Sequence, residues 1–222
     1  MASRILFLMA ALSALPLAGQ TLAATLARLD QGAASFRGMS AQVRRLSHTA
    51  VIQEDTVDVG IMLVKRTGSK EMRMLIELKD PDPKVVAIQG RKLEIYYPKI
   101  RTVQEYDIGK NRALLDQFFL VGFGASGKEL ASAYSIRLIG AETVAGQRTT
   151  RLELVPTSPE VLQHLKKLEL WVNDETGYPA QQKFYLPGGD YSLVTYSNLK
   201  SGSPPDSALK LKLPKGVKRE RA

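Results

Sequence analysis

The chain has 222 residues, 44% hydrophobic and 24% charged, with 31 Lys and Arg against 22 Asp and Glu and a formal net charge of +9. That length and apolar content suit one packed domain and are short for two, while the absence of cysteine excludes disulfides, thiol chemistry and a lipid-modified N-terminal Cys. The positive charge favours anionic partners (nucleic acid, lipid headgroups or acidic protein surfaces) or simply keeps a solvated surface soluble.

The opening residues, MASRILFLMAALSALPLAGQTLAA, place one positive charge at Arg4 before an apolar run from Ile5 to about Leu15, then Pro16 and small residues. This is the outline of a secretory signal peptide. The run is shorter than the ~20 residues a spanning helix needs, and Thr21-Leu22-Ala23 offers a cleavage point after Ala23, with Ala24 the next. The expectation is a leader over residues 1–23 and one domain over 24–222, outside the cytoplasm. Removal of Arg4 lowers the charge by one, and export makes nucleic acid the least favoured partner.

After the leader, Leu26, Leu29, Ala33 and Phe36 recur at helical spacing, which predicts a short amphipathic helix ending near Gly38. From about Ser40 the period changes to two. SAQVRRLSHTAVIQ and EDTVDVGIMLVKR read as antiparallel neighbours joined around Gln53 to Asp55. In the second strand Val57, Val59, Ile61 and Leu63 share one face, and Met62, Val64 and Arg66 the other. Both faces are apolar near the middle, so the strand is covered on both sides.

EMRMLIEL continues the alternation with Met72, Met74, Ile76 and Leu78 on one face, and three more short strands follow through LEIYYP and IRTVQEY. The pattern then becomes helical over NRALLDQFFLVGF, with Leu114, Leu115, Phe118 and Val121 along one side. Ser126 with Glu129 forms a capping-box arrangement that opens a second short helix. Strands resume from SIRLIGAETV to YSLVTYSNLK, and ALKLKLP reads as a last strand or extended segment.

The order predicts an α+β fold: a strongly curved antiparallel sheet of ~11 strands, with short helices covering its concave face.

Chemical motifs are sparse. His48 and His164 are far apart, no cysteine or carboxylate set has zinc spacing, and no G-x-S-x-G serine is present. GFGASG over residues 122–127 matches the letters of a dinucleotide loop, but it follows a predicted helix, so it reads as a glycine joint between two helices. No catalytic set, metal site or cofactor is expected, and the protein reads as a non-enzyme.

Several strings together resemble the LolA family, periplasmic carriers that take lipoproteins from the inner to the outer membrane of Gram-negative bacteria. They are LARLDQGAASF, GIMLVKR, VVAIQGRKLEIYYPKIRTV and LKLPKGV, and the resemblance covers roughly residues 25–217. It implies an incomplete β-barrel whose apolar interior receives acyl chains beneath a lid of short helices. It also implies that Arg66, matching the arginine of the family's Val-Lys-Arg-Pro, bonds lid carbonyls and holds the empty cavity shut. Thr67 stands where the family has that proline, and TGSKEMR is longer than the family's turn.

On this reading the lipid-binding wall comprises Met62, Val64, Met72 and Met74, continued by Ile76, Leu78, Ile95 and Tyr97. The lid carries Leu114, Leu115, Phe118 and Phe119, and Arg66 is its latch. Methionine's flexible torsions and polarisable sulfur suit a wall that fits chains of varied shape, although the same methionines also suit an ordinary core, and Arg66 a solvated strand end. The expected partners are an acylated lipoprotein or lipid cargo, an inner-membrane release complex and an outer-membrane acceptor, with the protein a periplasmic monomer. A rival reading keeps the fold but makes it a binding or sensor module that recognises an envelope protein and transports nothing.

Overall fold

A computed structural model of the chain describes residues 21–68, 71–109 and 121–221. Helix α1 (Leu22–Ser35) begins where the Thr21 hydroxyl accepts the backbone N–H of Ala24 at 3.1 Å, satisfying a donor the first turn leaves open. The boundary expected after Ala23 falls in this first turn. Leu29, Ala33 and Phe36 are buried and Leu26 is half-buried, so the predicted apolar stripe faces inward.

Six strands follow: β1 (Gly38–Thr49), β2 (Glu54–Arg66), β3 (Met72–Asp80), β4 (Lys84–Gln89), β5 (Lys92–Tyr97) and β6 (Thr102–Asp107). Helix α2 (Gly127–Ala133) carries the predicted capping box between Ser126 and Glu129. Beyond it come β7 (Tyr134–Val144), β8 (Gln147–Pro156), the single turn α3 (Pro159–Leu162), β9 (Lys167–Asn173), β10 (Pro179–Tyr185), β11 (Tyr191–Ser201) and β12 (Lys218–Arg221).

All twelve strands form one sheet, ordered β12-β6-β5-β4-β3-β2-β1-β11-β10-β9-β8-β7. The edge strands β12 and β7 do not pair with each other, so the sheet curls without closing: an incomplete barrel. Its neighbours are antiparallel except β12, which lies parallel to β6. Ladder irregularities help it bend. Where β2 meets β3 the register slips between Val59 and Gly60, and a Cβ on Gly60 would lie 1.9 Å from the Glu77 carbonyl oxygen. Glycine is required there by close approach of the neighbouring backbone.

Of the two readings of ALKLKLP, a last strand or an extended segment, the strand is not formed. ALKLKLP runs from a short 3₁₀ turn (Asp206–Leu209) into irregular chain, and the ladder resumes only at Lys218. Side chains rather than a backbone ladder hold this segment. Leu209 is buried with Leu75 and Ala87, with Leu63, Val85 and Leu211 around them, on the convex face, and Asp206 meets the Lys65 ammonium at 2.7 Å.

The concave face carries two large apolar clusters. One, beneath α1, α2 and α3, joins Leu29, Leu130 and Val161 to Leu152, Leu154, Leu168 and Leu170 of β8 and β9. The other joins Phe36, Met39 and Phe123 to the inward side chains of β1–β3 and Tyr196 of β11.

Candidate functional site

Strict alternation builds the wall of the site. Because side chains of a strand point to opposite faces in turn, the register aligns one inward row across four strands: Met62 opposite Ile76, Ile76 opposite Val86, and Val86 opposite Ile95. In front of this row lies a partly open cavity of about 670 Å³, within the range of small-molecule sites.

Of the wall residues expected from the sequence, Met62, Met74, Ile76, Leu78, Ile95 and Tyr97 line the cavity. Val64 and Met72 share their face and, like Met62 and Met74, are buried in the cluster of Phe36, Met39 and Phe123, but they do not border the cavity. There the wall is already covered, by the end of α1 and the segment before α2. The expected lid residues Leu114, Leu115, Phe118 and Phe119 lie outside the described residues.

Alternation in KVVAIQ and YSLVTY would have added Val86 and Val194, which line the cavity together with Val43, Leu93, Phe184 and Leu186.

Residues 121–126 close one end. Val121 and Phe123 are 2% and 0% exposed, and the Phe123 ring meets Tyr196 edge-on at 4.9 Å. Gly122 and Gly124 have φ of +80° and +82°, as a glycine joint would. The segment is nonetheless packed. A Cβ on Gly124 would stand 2.5 Å from the Met72 methyl and 2.6 Å from Arg66 Nη2, and one on Gly122 2.5 Å from Pro179. The glycines therefore serve close docking as much as backbone freedom.

Two side chains tie this segment to the sheet. Arg66 Nη2 donates to the Gly124 carbonyl at 3.0 Å, with the guanidinium 5.8 Å from the Phe36 ring centre and its Nε buried without a partner among the described residues. The second tie was not singled out from the sequence. Gln182 Nε2 donates to the Val121 carbonyl at 2.6 Å, and the Tyr196 hydroxyl donates to Gln182 Oε1 at 2.6 Å. Burial pushes the Tyr196 phenol up from its ordinary value, keeping it a donor. The clue was a polar residue in PAQQKFY two positions before the inward-facing Phe184.

The other end is charged. Arg45 and Asp58 are cross-strand partners on β1 and β2. Arg45 Nε donates to Asp58 Oδ2 at 2.9 Å, Nη2 contacts the same oxygen, and Lys84 Nζ stands 4.0 Å from Oδ1. Asp58 and Arg66 are eight residues apart on β2, so roughly 26 Å of strand separates the charged pair from the Arg66 tie. Among the described residues, no group of three or more His, Cys, Asp or Glu is placed to hold a metal ion.

No family model matches the chain, and no curated protein sequence does. Among solved structures it is similar to MucB, with 18% identity over 86% of this chain and a TM-score of 0.54. It spans 62% of the MucB chain. An uncharacterized conserved protein from Thermus thermophilus aligns over 91% of this chain and 100% of its own, with 12% identity and a TM-score of 0.57. A LolA superfamily protein from Nitrosomonas europaea aligns over 86% of this chain and 98% of its own, with 16% identity and a TM-score of 0.42. Identities at this level speak to fold alone: the open, curled twelve-stranded sheet with helices on the concave side is the fold this chain shares with MucB and the Thermus thermophilus protein.

Proposed function

We propose that the protein is an exported, periplasmic carrier that binds acyl chains of a lipoprotein or another lipid in this cavity and delivers them to the outer membrane, without covalent chemistry. The observation that supports this most is the cavity itself: a long, partly open apolar trough one end of which is fastened by two side-chain hydrogen bonds. Burying an acyl chain of about 16 carbons yields a gross ~13 kcal/mol at ~0.8 kcal/mol per methylene. The two ties, one charge-assisted and one neutral, contribute together about 2–4 kcal/mol. Cargo therefore has enough binding energy to displace the 121–126 segment, and Arg66 and Gln182 set how readily it returns. Release requires an acceptor of higher affinity.

A direct test adds fluorescent fatty acid to delipidated protein and then mixes the loaded protein with outer-membrane vesicles. The carrier reading expects one saturable site and transfer of the probe. Failure to take up any acyl probe, with retained binding to an envelope protein, would replace it by the non-transporting module.

A further inference from the structure

The lining of the cavity is apolar along most of its length, yet its two ionised side chains, Arg45 and Lys84, are both cationic, and no carboxylate lines it among the described residues. They lie at one end. Their side chains are 34% and 24% exposed, against 4% and 3% for Met62 and Met74 in the wall, and the exposed His164 lines the same cavity.

Asp58, the carboxylate behind them, does not balance this pair. It is 4% exposed and engaged by both Arg45 donors. Lys84 approaches it only to 4.0 Å, beyond hydrogen-bond reach, and has no hydrogen-bond acceptor among the described residues. The nearby Asp82 carboxylate is taken by Lys99 at 2.6 Å. One ammonium thus remains in excess at the open end of a greasy trough, its stem lying on the wall opposite Leu78 in register. A half-buried cation beside apolar surface is stabilised by an anion placed on it.

We propose that the cavity selects anionic lipids: the headgroup phosphate sits on Lys84 beside the Arg45–Asp58 pair, and the acyl chain runs from there along Leu78, Ile76 and Met62 towards the closed end. This rests on the acyl-binding reading above and names its ligand class.

The test compares, by native mass spectrometry and calorimetry below micelle concentration, lysophosphatidylglycerol with the uncharged monoacylglycerol of the same chain length, and glycerol 3-phosphate as the chainless headgroup. One charge-assisted contact gives an expected preference of about tenfold for the anionic lipid. The preference should weaken as salt is raised. Lys84→Gln, and Lys84→Met as a second variant in case the first folds poorly, should bring the two lipids to parity. Lys128→Gln, which removes the same charge from an exposed site on α2, should keep the preference.

Equal binding of the two lipids by the unaltered protein would overturn the headgroup proposal and leave acyl binding standing. Binding of neither would overturn both. Glycerol 3-phosphate binding as tightly as the lipid would make Lys84 a free-phosphate site and overturn the lipid assignment. A preference that survives loss of the Lys84 charge would remove Lys84 from it.

Discussion

Two halves of one sheet treat their concave faces differently. Across β8 and β9, the inward leucines Leu152, Leu154, Leu168 and Leu170 are 0% exposed, packed under α1, α2 and α3. Across β3–β5 the inward row of Ile76, Val86 and Ile95 is only half-buried and faces the cavity. The side chains are of similar kind, so composition does not make the difference. What differs is cover: the three described helices bear on the first half, while among the described residues the second is covered only at its closed end, by Phe36 and the segment around Phe123. An apolar surface left uncovered is a surface available for a ligand.

The largest effect is expected where packing is complete. Leu154→Ala leaves a void with no room to collapse and should cost about 2–5 kcal/mol of stability in denaturant unfolding, with acyl affinity of the folded fraction unchanged. A loss below about 1 kcal/mol would mean the filled half is not filled. Next comes obstruction of the open half. Ile76→Trp places a ring into the cavity, so acyl-probe affinity should fall more than about tenfold, a loss of at least about 1.4 kcal/mol, while stability changes by less than about 1.5 kcal/mol. Retained affinity would move the ligand elsewhere.

Arg66→Leu tests the fastening. The variant should accept cargo yet release it poorly to an acceptor, because the Gly124 carbonyl no longer recovers its donor when the cavity empties. Unchanged release would exclude Arg66 from the cycle. The smallest effect is expected for Tyr196→Phe, which removes the hydroxyl that supports Gln182. Hydrogen exchange at residues 121–126 should quicken by roughly fivefold, the effect of about 1 kcal/mol, with the cavity otherwise intact. Exchange unchanged there would reduce Gln182 to a packing role.

Much of this division was written in the sequence. A period of two with the same face apolar in β2 and β3 identified Met62, Met74, Ile76 and Leu78 as neighbours on one wall, and Ser126 with Glu129 marked the start of α2. Alternation reports which face is inward but carries no information about what stands in front of it. For that reason Val64 and Met72, indistinguishable by pattern from Met62 and Met74, turned out to lie away from the cavity. The Gln182 tie depends on the meeting of β10 with a segment about sixty residues earlier, and the outer strap at Leu209 on an apolar patch shared by β2, β3 and β4. Both are long-range juxtapositions that no local period encodes. Arg66 was legible because the Val-Lys-Arg string resembles a known one; its carbonyl partner at Gly124 was not.

On the proposed function, acyl chains lie against β2–β5 and not in the packed half. Photolabelling with a diazirine-bearing palmitate, followed by peptide mapping, tests it most directly. Adducts are expected on residues of the Met62–Ile76–Ile95 row and should be lost when unlabelled palmitate competes. Adducts confined to β8 and β9 or to the exposed hairpin tip at Val51 and Ile52, or no saturable labelling at all, would contradict it.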